Sequence, residues 1–279
     1  MRSFLAICML ALCLPAMADQ RLFYQPLNRD ATVTPAQWQQ LWRATAAQGG
    51  KTVIVQWSAN GDSYFGGAQG WLANSLREAR AQGLELVLGL YMDAAYYARI
   101  EALDGDGLNS YWKAQLGRSL SQYQQVRQGW QLDVAGWYLP MELDDLHFRD
   151  IARREALFSQ LRAFNRQLDK PLHISAFSAG KLAPRVNAAW LDQLAGLGLN
   201  VWWQDGVGTG RLPALVRQGY EQALPCRVGV VREAFRQVSA PGQTFRAEPA
   251  EPKLAGGCHA EAVFALRYRP WAWGVLPQN

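Results

Sequence analysis

Eight short runs dense in Val, Ile, Leu and aromatic residues recur along this chain, at residues 22–26, 52–57, 86–91, 134–140, 172–177, 199–204, 228–232 and 262–268. Nearly continuous apolar runs of this length suit strands buried on both faces, as in a parallel sheet covered by helices. The intervening segments have helical periodicity and recognisable ends. Thr34-Pro35 supplies an N-cap and a first-turn proline for a helix over 36–48, which stops at Gly49-Gly50. A second helix over 71–82 ends at Gly83, long Arg- and Gln-rich stretches cover 108–126 and 148–168, and shorter ones cover 188–195 and 212–221. Residues 234–257 are rich in Pro, Gly and polar side chains, so a loop is expected in place of a full seventh helix.

No Gly-, Pro- or Ser-rich linker and no repeat divides the chain, so one domain over 19–279 is expected. An eightfold strand–helix alternation at about 250 residues predicts an α/β fold, a (β/α)8 TIM barrel. The alternative is a doubly wound open sheet, but no Gly-x-Gly-x-x-Gly fingerprint follows any of the runs.

Residues 1–18 read as a cleavable leader: Arg2, an apolar run from Phe4 to Leu14, then the small-x-small triplet Ala16-Met17-Ala18. The run is too short to span a bilayer. Leu12, bulky where a lipidation box has a small residue, departs from that box before Cys13. The expected location is therefore periplasmic or secreted. Removal of the leader leaves Cys226 and Cys258, and an isolated pair in an oxidising compartment is expected to form a disulfide. The net charge of +5 is spread along helices without a basic stripe, which argues against nucleic acid as a partner and leaves an acidic polysaccharide open.

In a barrel of this kind the C-terminal strand ends build the site. Here they carry Gln25, then Gln56 and Trp57, Tyr91, Glu142, then Trp203, Gln204 and Asp205, Glu233 and, past the last run, Trp273. Acids and amides bind sugar hydroxyls while aromatic rings stack on sugar faces, so an oligosaccharide or polysaccharide is the expected ligand. Glycoside hydrolysis needs two carboxyl groups across the scissile bond. Glu142 is the expected acid/base and Glu233 the expected nucleophile, with Asp205 competing for the second role. Asp144 and Asp145 are expected to cap a helix beginning near His147. No Walker loop, His-Glu-x-x-His, Cys-x-x-Cys or Gly-x-Ser-x-Gly occurs, and three histidines give a zinc site no support, so no cofactor or metal is expected. A non-catalytic carbohydrate-binding barrel associated with exopolysaccharide export is the competing function.

Gln25-Pro26, Gln56-Trp57-Ser58, Gly89-Leu-Tyr91, Gly136-Trp-Tyr-Leu-Pro-Met-Glu142, Trp203-Gln-Asp-Gly-Val-Gly208 and Val231-Arg-Glu-Ala-Phe235 resemble a bacterial family catalogued as domain of unknown function 4434. That resemblance covers nearly the whole mature chain. It implies an exported TIM-barrel glycoside hydrolase with Glu142, Asp205 and Glu233 as site residues. One departure stands out: retaining barrel hydrolases with acids on strands four and seven commonly place Asn before the strand-four Glu, where this chain has Met141.

Overall fold

A computed structural model describes residues 20–278 apart from Pro241; the leader expected over 1–18 lies outside the described residues. All eight apolar runs form strands: β1 Gln20–Tyr24, β2 Gly50–Val55, β3 Glu85–Gly89, β4 Gly136–Asp144, β5 Leu172–Phe177, β6 Asn200–Gln204, β7 Gly229–Glu233 and β8 Glu261–Phe264. They are parallel and close into a barrel in consecutive order, with Leu22 of β1 registered against Val53 of β2 on one side and Val263 of β8 on the other.

The pleat sorts each strand into two layers. Phe23, Ile54, Val87, Tyr138, Trp202, Val231 and Ala262 pack together in the barrel interior. Their chain neighbours Tyr24, Val53, Leu86, Leu139 and Trp203 join the larger cluster shared with the helices. Interior space is tight: a Cβ on Gly229 would lie 2.5 Å from the indole of Trp202 on the adjacent strand, so only glycine fits beside that ring.

The helices are α1 Pro35–Ala47, α2 Trp71–Ala81, α3 Tyr96–Ala102, α4 Gly105–Gly129, α5 Ile151–Asn165, α6 Pro184–Ala195 and α7 Ala214–Ala223. Thr34 caps α1 by accepting from the Gln37 amide while the Gln37 side chain reaches back, a capping box. The loop expected after β7 is a two-stranded hairpin, Phe235–Gln237 against Ala247–Pro249. After β8 the chain turns twice in 3-10 conformation, and Trp271 donates to Thr45 on α1 at 3.1 Å, closing the barrel where an eighth helix would pack. Arg267 forms a buried ion pair with Asp30 at 2.7 Å, and Asp30 also accepts from Tyr24 and the Leu27 amide. This network fastens the end of the chain to its beginning.

Cys226 and Cys258 form a disulfide with a Cα–Cα separation of 5.2 Å, joining the approaches to β7 and β8. No helix among the described residues is long and apolar enough to cross a membrane.

Candidate active site

Glu142 lies within β4, not at its tip, because β4 runs on to Asp144. The β4–β5 register is regular through Leu139 and resumes only at Leu143, so Pro140, Met141 and Glu142 form a bulge. Proline suits that position because it has no N–H to give a ladder, and bulges re-aim the side chains they carry. Both oxygens of the Glu142 carboxyl are engaged. Gln204 Nε2 donates to Oε1 at 2.8 Å, and the Tyr97 hydroxyl donates to Oε2. Tyr97 is half exposed, and its neighbour Tyr96 donates to the Glu142 carbonyl at 2.7 Å, so α3 is docked on the bulge by two phenols. Burial pushes the Glu142 carboxyl above its usual range, while the Tyr97 and Gln204 hydrogen bonds pull it back.

Glu233 ends β7 and is buried. The turn after β6, Asp205-Gly-Val-Gly-Thr209, folds back over it, and the amides of Gly208 and Thr209 donate to its Oε2 at 2.6 and 3.3 Å. Gly206 takes a φ of 62° in that turn, a conformation glycine adopts without strain. Asp205 accepts from the Val207 amide at 3.1 Å and from the Glu233 amide at 3.4 Å, with Arg232 3.9 Å away. Burial, reinforced by the Asp205 charge, pushes the Glu233 carboxyl up to about 7. Burial raises Asp205 as well, against its two backbone hydrogen bonds and the Arg232 charge. The two glutamates therefore differ in kind. Glu142 is gripped by side-chain donors on both oxygens, with Asp144 as its acidic neighbour, whereas Glu233 has amides on one oxygen and Asp205 beside it.

A cleft of about 460 Å³ opens over the ends of β4 to β7, lined among others by Tyr97, Glu142, His147, Trp203, Gln204, Asp205, Arg211, Arg217 and Glu233. It thus gathers Glu142, Glu233, Asp205, Gln204 and Trp203 from the expected site residues. Trp203 is buried in the layer between barrel and helices, where its indole donates to Ser178 at 3.0 Å, so its exposed contribution to the cleft is small. The remaining expected residues lie outside this lining. Gln25 donates to Gln56 at 2.9 Å as an amide pair at the β1–β2 end of the mouth. Trp57 is buried with its indole bonded to the Pro26 carbonyl. Tyr91 faces a separate depression, where Arg118 donates to its hydroxyl at 2.8 Å. Trp273 is exposed on the final segment.

Asp144 and Asp145 do not cap α5; that helix begins at Ile151 with Asp150 accepting from the Arg153 amide. Asp144 instead bonds the Leu146 and His147 amides and the His147 ring at 2.8 Å. Asp145 receives the amides of Ala179, Lys181 and Leu182, holding the β5–α6 loop beside the cleft. Both carboxylates are consumed in shaping the loops. Tyr97, Arg211 and Arg217 were not legible as site residues from their sequence positions.

The chain belongs to the family described as Domain of unknown function (DUF4434), which matches residues 21–255. It is 33% identical to the "Uncharacterized protein YbcH" of Escherichia coli (strain K12), over 99% of each chain. Among solved structures, a candidate alpha-L-fucosidase from Bacteroides thetaiotaomicron superposes with a TM-score of 0.55 at 14% identity, over 94% of this chain and 90% of that one. At that identity the likeness establishes a shared barrel fold.

Proposed function

We propose that this DUF4434 chain is an exported glycoside hydrolase that cleaves a bacterial polysaccharide or oligosaccharide in the cleft between β4 and β7. The observation that carries the reading is that one cleft holds two glutamates in different surroundings: side-chain donors engage both oxygens of Glu142, while burial and the Asp205 charge push Glu233 up to about 7, where it can serve as a proton donor. The barrel shared with a candidate alpha-L-fucosidase is consistent with that chemistry but does not supply it.

The hydrogen bonds support assigning the roles in the reverse of the sequence expectation. Gln204 and Tyr97 both stabilise a charged Glu142. The buried Glu233, beside Asp205, holds a proton up to about 7. In the proposed reaction Glu233 gives its proton to the glycosidic oxygen as the C1–O bond breaks and the bonding pair leaves with that oxygen. The Glu142 carboxylate attacks C1 and forms a glycosyl ester. Glu233, now ionised, takes a proton from water, the water oxygen attacks C1, and the ester breaks to restore Glu142. Two displacements retain the anomeric configuration. Asp205 acts through Glu233 as a positioning residue that keeps it protonated.

The test is an oligosaccharide screen with product detection, followed by leaving-group dependence. Glu142→Gln should abolish turnover of every substrate. Glu233→Gln should lose about 10²- to 10⁴-fold on natural linkages yet keep cleaving 2,4-dinitrophenyl glycosides, whose leaving group needs no proton. The opposite pattern restores the original role assignment. Wild type matching Glu142→Gln across the screen removes the hydrolase reading, and an inverted first product by NMR removes the double displacement.

A further inference from the structure

Arg211 and Arg217 line the same cleft as the two glutamates. Arg217 stands in the first turn of α7, and its stem passes over the turn after β6, with Cδ 3.5 Å from where a Cβ on Gly206 would sit. Its Nη1 donates to the Leu212 carbonyl, which pins the guanidinium against the cleft wall. Arg211 is exposed in the loop that leads into α7.

Neither guanidinium forms an ion pair among the described residues. Arginines that serve the fold are treated differently. Arg232, buried behind the cleft, faces Glu221 at 2.6 Å and Glu261 at 2.7 Å, and Arg267 is locked to Asp30. Four of the acids that share the cleft with Arg211 and Arg217 are engaged elsewhere: Glu142 by Tyr97 and Gln204, Asp144 by His147, Asp205 by the Val207 and Glu233 amides, and Glu233 by two backbone amides; the fifth, Glu101, is exposed and forms no ion pair with either arginine. Two guanidiniums without carboxylate partners therefore flank the place where a substrate would lie, and a planar guanidinium fork matches the geometry of a carboxylate.

We propose that the cleft selects a sugar that carries a carboxylate, a uronic acid residue, and that Arg211 and Arg217 receive that group. The proposal rests on the reading of this cleft as a sugar-cleaving site and specifies its substrate class.

The experiment measures binding by titration calorimetry, on the full mature chain and on Glu142→Gln to block turnover. The probes are a panel of oligosaccharides built from glucuronic, galacturonic and mannuronic acid, each paired with its carboxyl-reduced neutral form. At least one acid form should bind about tenfold or more tightly than its neutral partner, a difference of about 1.4 kcal/mol, and the margin should shrink with salt. Arg211→Gln with Arg217→Gln should erase the margin while leaving the neutral form's affinity unchanged. Arg211→Gln alone, at an exposed position that cannot upset folding, should reduce it. Equal affinity for acid and neutral forms, a margin that survives in the double variant, or no binding by any acid form would overturn the proposal. An arginine-dependent margin without product from any oligosaccharide would instead leave this inference standing and remove the hydrolase reading.

Discussion

Gln204 on β6 donates through Nε2 to Oε1 of Glu142 on β4 at 2.8 Å, a side-chain hydrogen bond that reaches across β5 at the barrel mouth. The same amide lies 3.4 Å from Ser175 Oγ on that intervening strand, so its orientation is set from two sides. An amide N–H can only donate, so this contact favours the charged form of Glu142 regardless of how the Tyr97 hydroxyl is turned.

Gln204→Leu should therefore slow turnover and move the acid limb of the pH profile upward. A nucleophilic carboxylate works only when ionised, so activity is lost as pH falls through its pKa, and removing the donor raises that pKa. A hydrogen bond to a charged group contributes about 1.5 to 3 kcal/mol, which corresponds to a loss of about ten- to a hundredfold in kcat/KM at neutral pH. An acid limb that stays in place would separate Gln204 from the chemistry.

Asp205→Asn should move the opposite limb. A general acid must carry its proton, so activity is lost as pH rises through the Glu233 value of about 7. After burial, the Asp205 charge is the main cause of that elevated value. Asn keeps the acceptor used by the Val207 and Glu233 amides while removing the charge, so the basic limb should shift down. The check is kcat/KM against pH for the two proteins, and a basic limb unmoved by Asp205→Asn would deny the coupling.

Glu233 should also leave a mark on stability. Its folded value of about 7 lies above the usual 4.5, so between those values the unfolded chain releases a proton that the folded chain retains. Stability contributed by the protonated group is complete below 4.5 and is lost as pH rises toward 7. The full effect is about 3 kcal/mol, at about 1.4 kcal/mol per unit. Glu233→Gln, which cannot ionise, should unfold with a flatter pH dependence over this window in urea titrations. An unchanged slope would contradict the buried, protonated state.

Removing the Cys226–Cys258 bridge should cost about 2 to 5 kcal/mol, read as a lower urea midpoint for Cys226→Ser with Cys258→Ser. The bridge closes a segment with a sequence separation of 32 that contains the hairpin packed over the turn after β6. Free-thiol titration of the denatured, unreduced protein should find neither sulfur reactive.

Strand positions were legible because burial on both faces forces continuous apolar runs, and β5 spans the residues its run predicts. The last run failed at its end. Leu266–Tyr268 coils into a 3-10 turn instead of extending the strand, and from that turn Arg267 reaches Asp30, 237 residues away in sequence. Glu142 and Glu233 could be placed at the barrel mouth because they follow such runs directly, and both line the cleft. The rings could not be sorted the same way. A tryptophan at a strand end gives no sign of whether it faces the mouth or the helices, and Trp57 and Trp203 both join the helix-facing cluster. Tyr97 was hidden for another reason: α3 has 7 residues, too few for a periodic signal.

Gly208→Ala should perturb the site without touching a carboxylate. A Cβ there would lie 2.6 Å from the Phe235 carbonyl oxygen and 2.7 Å from the Phe235 ring, against a hairpin already bonded to the Gly208 carbonyl by the Gln237 amide at 2.8 Å. Neither neighbour is a flexible chain end, so the turn itself must shift, and overpacking of this kind costs about 1 to 3 kcal/mol. The shift draws the Gly208 amide away from Glu233 Oε2, its closest donor at 2.6 Å. Losing that donor disfavours the ionised form, so the basic limb of the pH profile should move up, opposite to the displacement expected for Asp205→Asn. Turnover should fall about tenfold, because a Glu233 whose ionised form has lost a donor is a weaker acid toward the glycosidic oxygen in the first displacement. Thermal unfolding and kcat against pH measure both effects on one protein. A lowered melting temperature with an unmoved basic limb would mean that the amide does not hold the Glu233 charge.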